Sequence, residues 1–501
     1  MDNILTILIA LPLIGALALA FLPEGDDRTV KIIGVVASGA AFVASLAALA
    51  VFEFSDGGFQ LATSLSWIPS IGASFSLAVD GVSLLLILLT TLLTPLVLLA
   101  SYPTVTDRLK GYVASFLVLE AAVLGVFAAT DLLLFYVFFE FTLIPMYLII
   151  GIWGGAGRRY AAVKFFLYTL LGGLLMLIAI LYLFSQTGSF AYDAVLALEL
   201  TQTEQRWLFA AFALAFAVKV PLFPVHTWLP DAHTEAPTGG SVFLAGVLLK
   251  MGTFGLLRYA LPFFPDATIE FAPWLLGISV IGILYGAIVA LMQSDIKKLI
   301  AYSSVSHMGF VVLGTFALNA TATSASVVQM VNHGLSTGAL FLLIGFLYER
   351  RHTRQISAFG GLAKRVPVMA GLWLLVSMSS LALPGLNGFV GEFPILLGTF
   401  QTNRTAAVLA SFGAVLAALY LLWAYQRMFH GPLEGADNEN TSDLKRSEIG
   451  ILAPLCILIV AIGIYPKPMF DLVEPAVDRV LVEVGIEPIE LEPAAATEEE
   501  G

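Results

Sequence analysis

Of 501 residues, 59% are hydrophobic and 12% are charged, with a mean hydropathy of +0.92, which excludes a soluble globular domain of ordinary composition. The single cysteine, Cys456, lies in the apolar run ILAPLCILIV and excludes intrachain disulfides, CxxC motifs and cysteine-ligated iron-sulfur clusters, so any electron chemistry belongs to a partner. Much of the net charge of −12 sits in the C-terminal stretch IEPIELEPAAATEEEG, which reads as a solvated tail and carries no functional weight.

The run that begins at Ile4 lacks a basic n-region and a small-residue cleavage site, so it reads as a first membrane span. From there, apolar runs bounded by Gly, Pro and charge clusters predict an all-α polytopic membrane protein of about fourteen transmembrane helices. They lie near 3–22, 31–52, 82–101, 111–129, 132–153, 161–184, 207–225, 239–262, 271–293, 300–318, 325–348, 367–396, 405–426 and 448–465. An even count places both termini on one side. Most of the 24 basic residues then fall on the other side, among them Arg158, Arg159, Lys297, Lys298, Arg350, Arg351 and Arg354. That side is expected to face the cytoplasm of a bacterial plasma membrane, with both termini outside.

Two spans carry helix breakers within an apolar run: the seventh at AVKVPLFP from Ala217, the twelfth at LALPGLNGFVGEF from Leu381. Proline frees backbone carbonyls that lipid cannot satisfy, and such breaks persist where protein or water lines a cavity. A broken pair in corresponding positions of two halves marks a transport site, and an odd offset between them reverses membrane direction. The expected organisation is three N-terminal helices in 1–110, a first five-helix repeat in 111–262, an inverted second repeat in 271–426, and a last helix with its tail in 448–501.

Charges buried in this apolar frame cost roughly 2.5–3.5 kcal/mol each at mid-helix and are functional by default. Glu140 is the sole charge between Asp131 and Arg158, in DLLLFYVFFEFTLIPMYLIIG, and Lys219 stands immediately before the break at Pro221. A mutual ion pair would offset part of their cost, and a buried lysine exchanges protons more readily than an exposed one. Beyond the break, His226, Asp231 and His233 in HTWLPDAHTEAP match no zinc spacing and read as candidates for a proton entrance; no metal site is expected. Lys250 lies too deep in the eighth span for easy snorkelling. His307 in SSVSHMGF and His333 in VNHGLSTG occupy adjacent spans among serine hydroxyls, a pattern that suits a relay, although a lone histidine would read as packing. Glu392 follows the second break, where freed backbone and Asn387 can hydrate it. Gly239 and Gly240 form no phosphate loop, and neither a nucleotide nor a nucleic-acid site is visible.

These runs resemble a known family. FAVKVPLFPVHTWLPDAHTEAPTGGSVFLAGVLLKMG, FYVFFEFTLIPMYLIIGIWG, SDIKKLIAYSSVSHMGF and PGLNGFVGEFPIL are similar to the signatures of the antiporter-like membrane subunits of respiratory complex I, the proton-pumping NADH-quinone oxidoreductase. The match extends from about residue 80 to 430. Glutamate at 392, where sister chains carry lysine, and a short segment after the last span point to the member that resembles mitochondrial subunit four.

The resemblance implies a translocase subunit without its own redox centre, with flavin, iron-sulfur clusters and quinone in partner subunits and with membrane lipids around it. It implies Glu140 and Lys219 as a coupling pair, Lys250 as central relay, His307 and His333 on a hydrated axis and Glu392 as the outer exchange group. Two competing readings are a subunit of a multi-subunit cation/proton antiporter and a non-pumping membrane scaffold. Costly buried charges argue against the scaffold.

Overall fold

The computed structural model describes residues 3–486; the acidic tail expected beyond 486 lies outside them. Eleven of its helices are long and apolar enough to cross a membrane. Ile4–Ala20, Gln202–Lys219 and Pro367–Ser380 supply the first, seventh and twelfth spans. The fifth span is Leu132–Trp153, the eighth Thr238–Phe263, the tenth Ile296–Phe316, the eleventh Ala320–Arg351 and the last Arg446–Ile464.

Burial divides the spans into two sets. The most apolar stretches of the eighth and eleventh spans are 100% buried, whereas those of the sixth, ninth, thirteenth and last are mostly turned outward. A membrane helix exposed on no side does not meet lipid, so its polar side chains need only protein or water as solvent. Lys250, His307 and His333 sit on the eighth, tenth and eleventh spans, and all three are buried. The eighth span is also wound loosely, with π-turns at Leu244–Leu248 and Leu256–Ala260 on either side of Lys250. Such turns free carbonyls inside a helix.

Both predicted breaks are present. Each has a widened turn: Leu222 N–H donates to the Ala217 carbonyl at 2.8 Å across Pro221, and Leu383 N–H to the Met378 carbonyl at 3.0 Å just before Pro384. The chain resumes as helix at Trp228–Glu235 in the first case and at Asn387–Thr402 in the second. Ala382 and Gly385 adopt positive φ of 60° and 90° to make the second turn, a backbone shape glycine takes at no steric cost.

A second local structure also occurs twice. Asp131 caps the fifth span by accepting from the amides of Leu133 and Leu134, while Leu132 N–H bonds to the Phe190 carbonyl and Tyr192 N–H to the Thr130 carbonyl. Asp295 caps the tenth span through Lys297 and Lys298, while Ile296 N–H bonds to the Arg354 carbonyl and Ile356 N–H to the Ser294 carbonyl. Every partner in the second set lies the same number of residues beyond its counterpart in the first.

The strands Gln60–Ile68 and Ala73–Val79 form an antiparallel hairpin between the second and third spans, which hydropathy did not reveal. After the last span, the amphipathic helix Lys467–Glu483 lies against the third and eleventh spans. It packs backbone to backbone: a Cβ on Gly57 or Gly81 would strike the carbonyl of Pro475 or Leu472. Beneath it, Asp80 and Arg258 form a buried ion pair, with the Phe59 ring 4.9 Å from the guanidinium.

Candidate proton-transfer axis

Four of the predicted residues come together in the protein interior. Lys250 Nζ reaches the Ala245 carbonyl, freed by the π-turn, and lies 2.7 Å from His333 Nδ1. The His333 and His307 rings have centroids 6.0 Å apart. His307 Nδ1 lies 2.6 Å from Glu392 Oε1, and its Nε2 lies 3.2 Å from the Tyr420 hydroxyl. Gln329 Nε2 donates to the same Glu392 oxygen at 2.9 Å. Asn332 donates to the carbonyl of Asn387, the first residue of the helix that follows the second break. An imidazole can accept a proton on one nitrogen and release it from the other; His333 bonds Lys250 through Nδ1 and leaves Nε2 without a partner among the described residues, and His307 spans Glu392 and Tyr420. Lysine, two imidazoles and a carboxyl group thus stand in sequence, with hydrogen bonds between Lys250 and His333 and between His307 and Glu392, while the step between the two rings requires a ring rotation or a bridging water.

Glu140 and Lys219 do not form the expected contact ion pair. Lys219 Nζ donates to the Thr142 hydroxyl at 3.2 Å and lies 4.8 Å from the Phe139 ring centroid. Neither carboxylate oxygen of Glu140 has a hydrogen-bond partner. The two charges nevertheless interact through space. The carboxylate occupies room left by Gly173 of the sixth span, where an added Cβ would sit 1.7 Å from Oε1. Between Lys219 and Lys250 the seventh and eighth spans meet at Gly252 against Phe216 and Val220, and no hydrogen bond among the described residues joins the two ammonium groups.

The three entrance candidates separate. Asp231 is engaged by Lys164 at 2.7 Å, His226 packs against Phe223 and Tyr285, and among the described residues neither contacts the axis residues through a hydrogen bond. His233 is different. Fully buried, it stacks on Phe341 at 4.7 Å, leaves both ring nitrogens without a partner, and lies within electrostatic reach of Lys297 on one side and Lys250 on the other. Next to it, a cavity of about 290 Å³ lined by Glu235, Lys297, Glu349 and Arg354 opens on the basic face.

Sequence reasoning passed over Gln329 and Tyr420, because neutral polar side chains in an apolar span carry no distinctive signal. It also passed over Glu120, the sole charge between Lys110 and Asp131, which is fully buried with neither oxygen bonded. The isolation test that selected Glu140 would have selected it too.

Comparison with known proteins gives this geometry its family. Residues 129–417 match the profile described as NADH:quinone oxidoreductase/Mrp antiporter, TM, and residues 41–130 match NADH-ubiquinone oxidoreductase chain 4, amino terminus. The chain is 45% identical over 494 residues to NADH-quinone oxidoreductase subunit M of Rhodobacter capsulatus, covering 95% of this chain and 96% of that one. It is 43% identical over 475 residues to NADH-ubiquinone oxidoreductase chain 4 of Arabidopsis thaliana, with the same coverage. Among solved structures it is similar to a chain of respiratory complex I from Thermus thermophilus, with TM-score 0.88, 34% identity, and 96% of this chain and 100% of that one covered. A chain of the Mrp complex from Dietzia sp. DQ12-45-1b, 21% identical with TM-score 0.85 over 96% of this chain and 99% of that one, shares the fold. The chain therefore belongs to the NADH:quinone oxidoreductase/Mrp antiporter family of membrane subunits.

Proposed function

We propose that this chain is the proton-translocating membrane subunit of an NADH-quinone oxidoreductase, carrying protons along Lys250, His333, His307 and Glu392 while partner subunits hold the flavin, iron-sulfur clusters and quinone. The observation that carries the reading is the row of buried side chains from Lys250, bonded to His333, to His307, bonded to Glu392, with the two rings 6.0 Å apart between centroids. His233, beside the cavity on the basic face, supplies protons to Lys250; Glu392, beyond the second break, releases them on the opposite face. The basic loops support a first face in the cytoplasm of a bacterial plasma membrane, with both termini outside. The matching caps at Asp131 and Asp295 support the division into two repeats of opposite direction, 111–262 and 271–426, each contributing one broken helix.

Energy arrives electrostatically, since a chain without a redox group receives it as a field or a contact. Glu140 and Lys219 are the receiver. At an effective dielectric of 20, drawing opposite charges from about 8 Å to 4 Å changes their interaction by about 2 kcal/mol. That change alters the cost of a second ammonium at Lys250, one helix away. A proton is then released from Lys250 to His333 when Lys219 is fully charged and unpaired, and taken up again when the pair closes.

Vesicles of the assembled complex test the path. Glu392→Gln is expected to slow proton uptake by at least about tenfold, because an amide cannot exchange a proton. Glu392→Lys retains part of the rate, since lysine can exchange but adds a cation beside His307. Glutamine pumping as well as glutamate, with subunit content verified by gel, would remove Glu392 from the path.

A further inference from the structure

Between the eleventh span, the end of the twelfth and the C-terminal helix Lys467–Glu483 lies a cavity of about 660 Å³. It lies on the face that bears the chain termini. Its polar lining includes Ser324, Gln401, Glu474 and Asp478. Ser324 is 2% exposed, and its hydroxyl has no hydrogen-bond partner although it borders this space. Two more atoms between these helices, Thr399 Oγ1 and Glu392 Oε2, are also buried without a partner.

The helices place these three atoms in order. Gly391 packs on Gln329 and Gly398 on Ala322 and Asn319, so the eleventh and twelfth spans run antiparallel with Glu392 level with Gln329. Thr399 is then about 10 Å outward of Glu392, and Ser324 about 7 Å outward of Gln329, at 1.5 Å per residue. Buried hydroxyl and carboxyl oxygens without a protein partner are bridged by water in protein interiors. At the mouth, Glu474 and Asp478 stand one helical turn apart, and neither is in an ion pair among the described residues, whereas Asp471 and Glu483 on the same helix are held by Lys467 and Arg479. Partial burial holds both free carboxyls above the ordinary range, and the charges of Asp478 and Asp471 push Glu474 further up. Lys467 offsets part of the negative charge at Glu474, and two neighbouring carboxylates outside any contact ion pair among the described residues draw cations to a cavity mouth.

We propose, on the basis of the proton path described above, that this acid-lined cavity is the outlet of Glu392 to the aqueous phase, with Ser324 and then Thr399 as hydroxyl steps and Glu474 and Asp478 as carboxylates that collect and release protons. The path thereby runs past the C-terminal helix, which acts as its outer wall.

The chain's single cysteine makes the test direct. In the assembled complex carrying Cys456→Ser, Ser324→Cys is treated in vesicles of each orientation with a cationic or an anionic membrane-impermeant methanethiosulfonate, and modified peptides are identified by mass spectrometry. Modification from the face bearing the termini is expected, with the cationic reagent about tenfold faster, and the modified complex should lose proton translocation. Glu474→Gln with Asp478→Asn should erase the preference for the cation. If Ser324→Cys does not assemble, Gln401→Cys at the cavity rim is read the same way. No modification, modification from the basic face alone, equal rates for both reagents, or unimpaired pumping after modification would each overturn the outlet. A complex in which Glu392→Gln stops pumping while this cavity is not reached keeps the path and moves its outlet; one in which Glu392→Gln pumps normally loses the path itself.

Discussion

Glu140 is seated against Gly173 and not bonded to Lys219. In an ordinary helix Gly→Ala stabilises by about 1 kcal/mol; here the new methyl would overlap a carboxylate oxygen. That oxygen is the far end of a flexible side chain, so the carboxylate moves and the helices stay. Gly173→Ala is therefore expected to assemble normally and to slow coupled proton uptake by about tenfold, although it removes no titratable group. Glu140→Gln should abolish coupling altogether. Wild-type pumping in an assembled Gly173→Ala complex would show that the position of this carboxylate is immaterial. At this scale the sequence was legible wherever a charge stood alone among apolar residues: Glu140, Lys219 and Lys250 announced themselves. Their partners did not, because Thr142, Tyr420 and Gln329 are unremarkable until folding brings them into contact.

Among the elements, spans were legible from hydropathy and their ends were not. The seventh helix begins at Gln202, before its apolar run, because Thr201 and Glu204 close a capping box. That Thr-x-x-Glu spacing was readable, but a hydropathy window ignores it. The hairpin Gln60–Val79 was missed for a related reason: its alternation of polar and apolar residues lies between two long spans and is averaged away. Proline and glycine, by contrast, located both helix breaks, since each acts on the backbone directly. Topology gives the test at this level. A reporter fused after Arg351 should be cytoplasmic and one after Glu474 outside, and finding the two on one side would mean that the span count is wrong by one.

Across the whole molecule, the buried eighth, tenth and eleventh spans form a polar interior inside a shell of helices whose outer faces are apolar. Such an interior has no value to a protein that merely spans, because each buried charge costs free energy that nothing in a scaffold offsets. The sequence announced the individual charges but not the line they make, which depends on the close approach of the helices at Gly246 and Gly334. The central claim is that protons travel along this line, and Lys250 is its inner end. The direct measurement is the number of protons taken up per quinone reduced by vesicles carrying Lys250→Gln, with assembly verified. We predict that the ratio falls while the assembled complex still reduces quinone once the membrane is made proton-permeable. An unchanged ratio would contradict the account, since glutamine cannot pass on a proton.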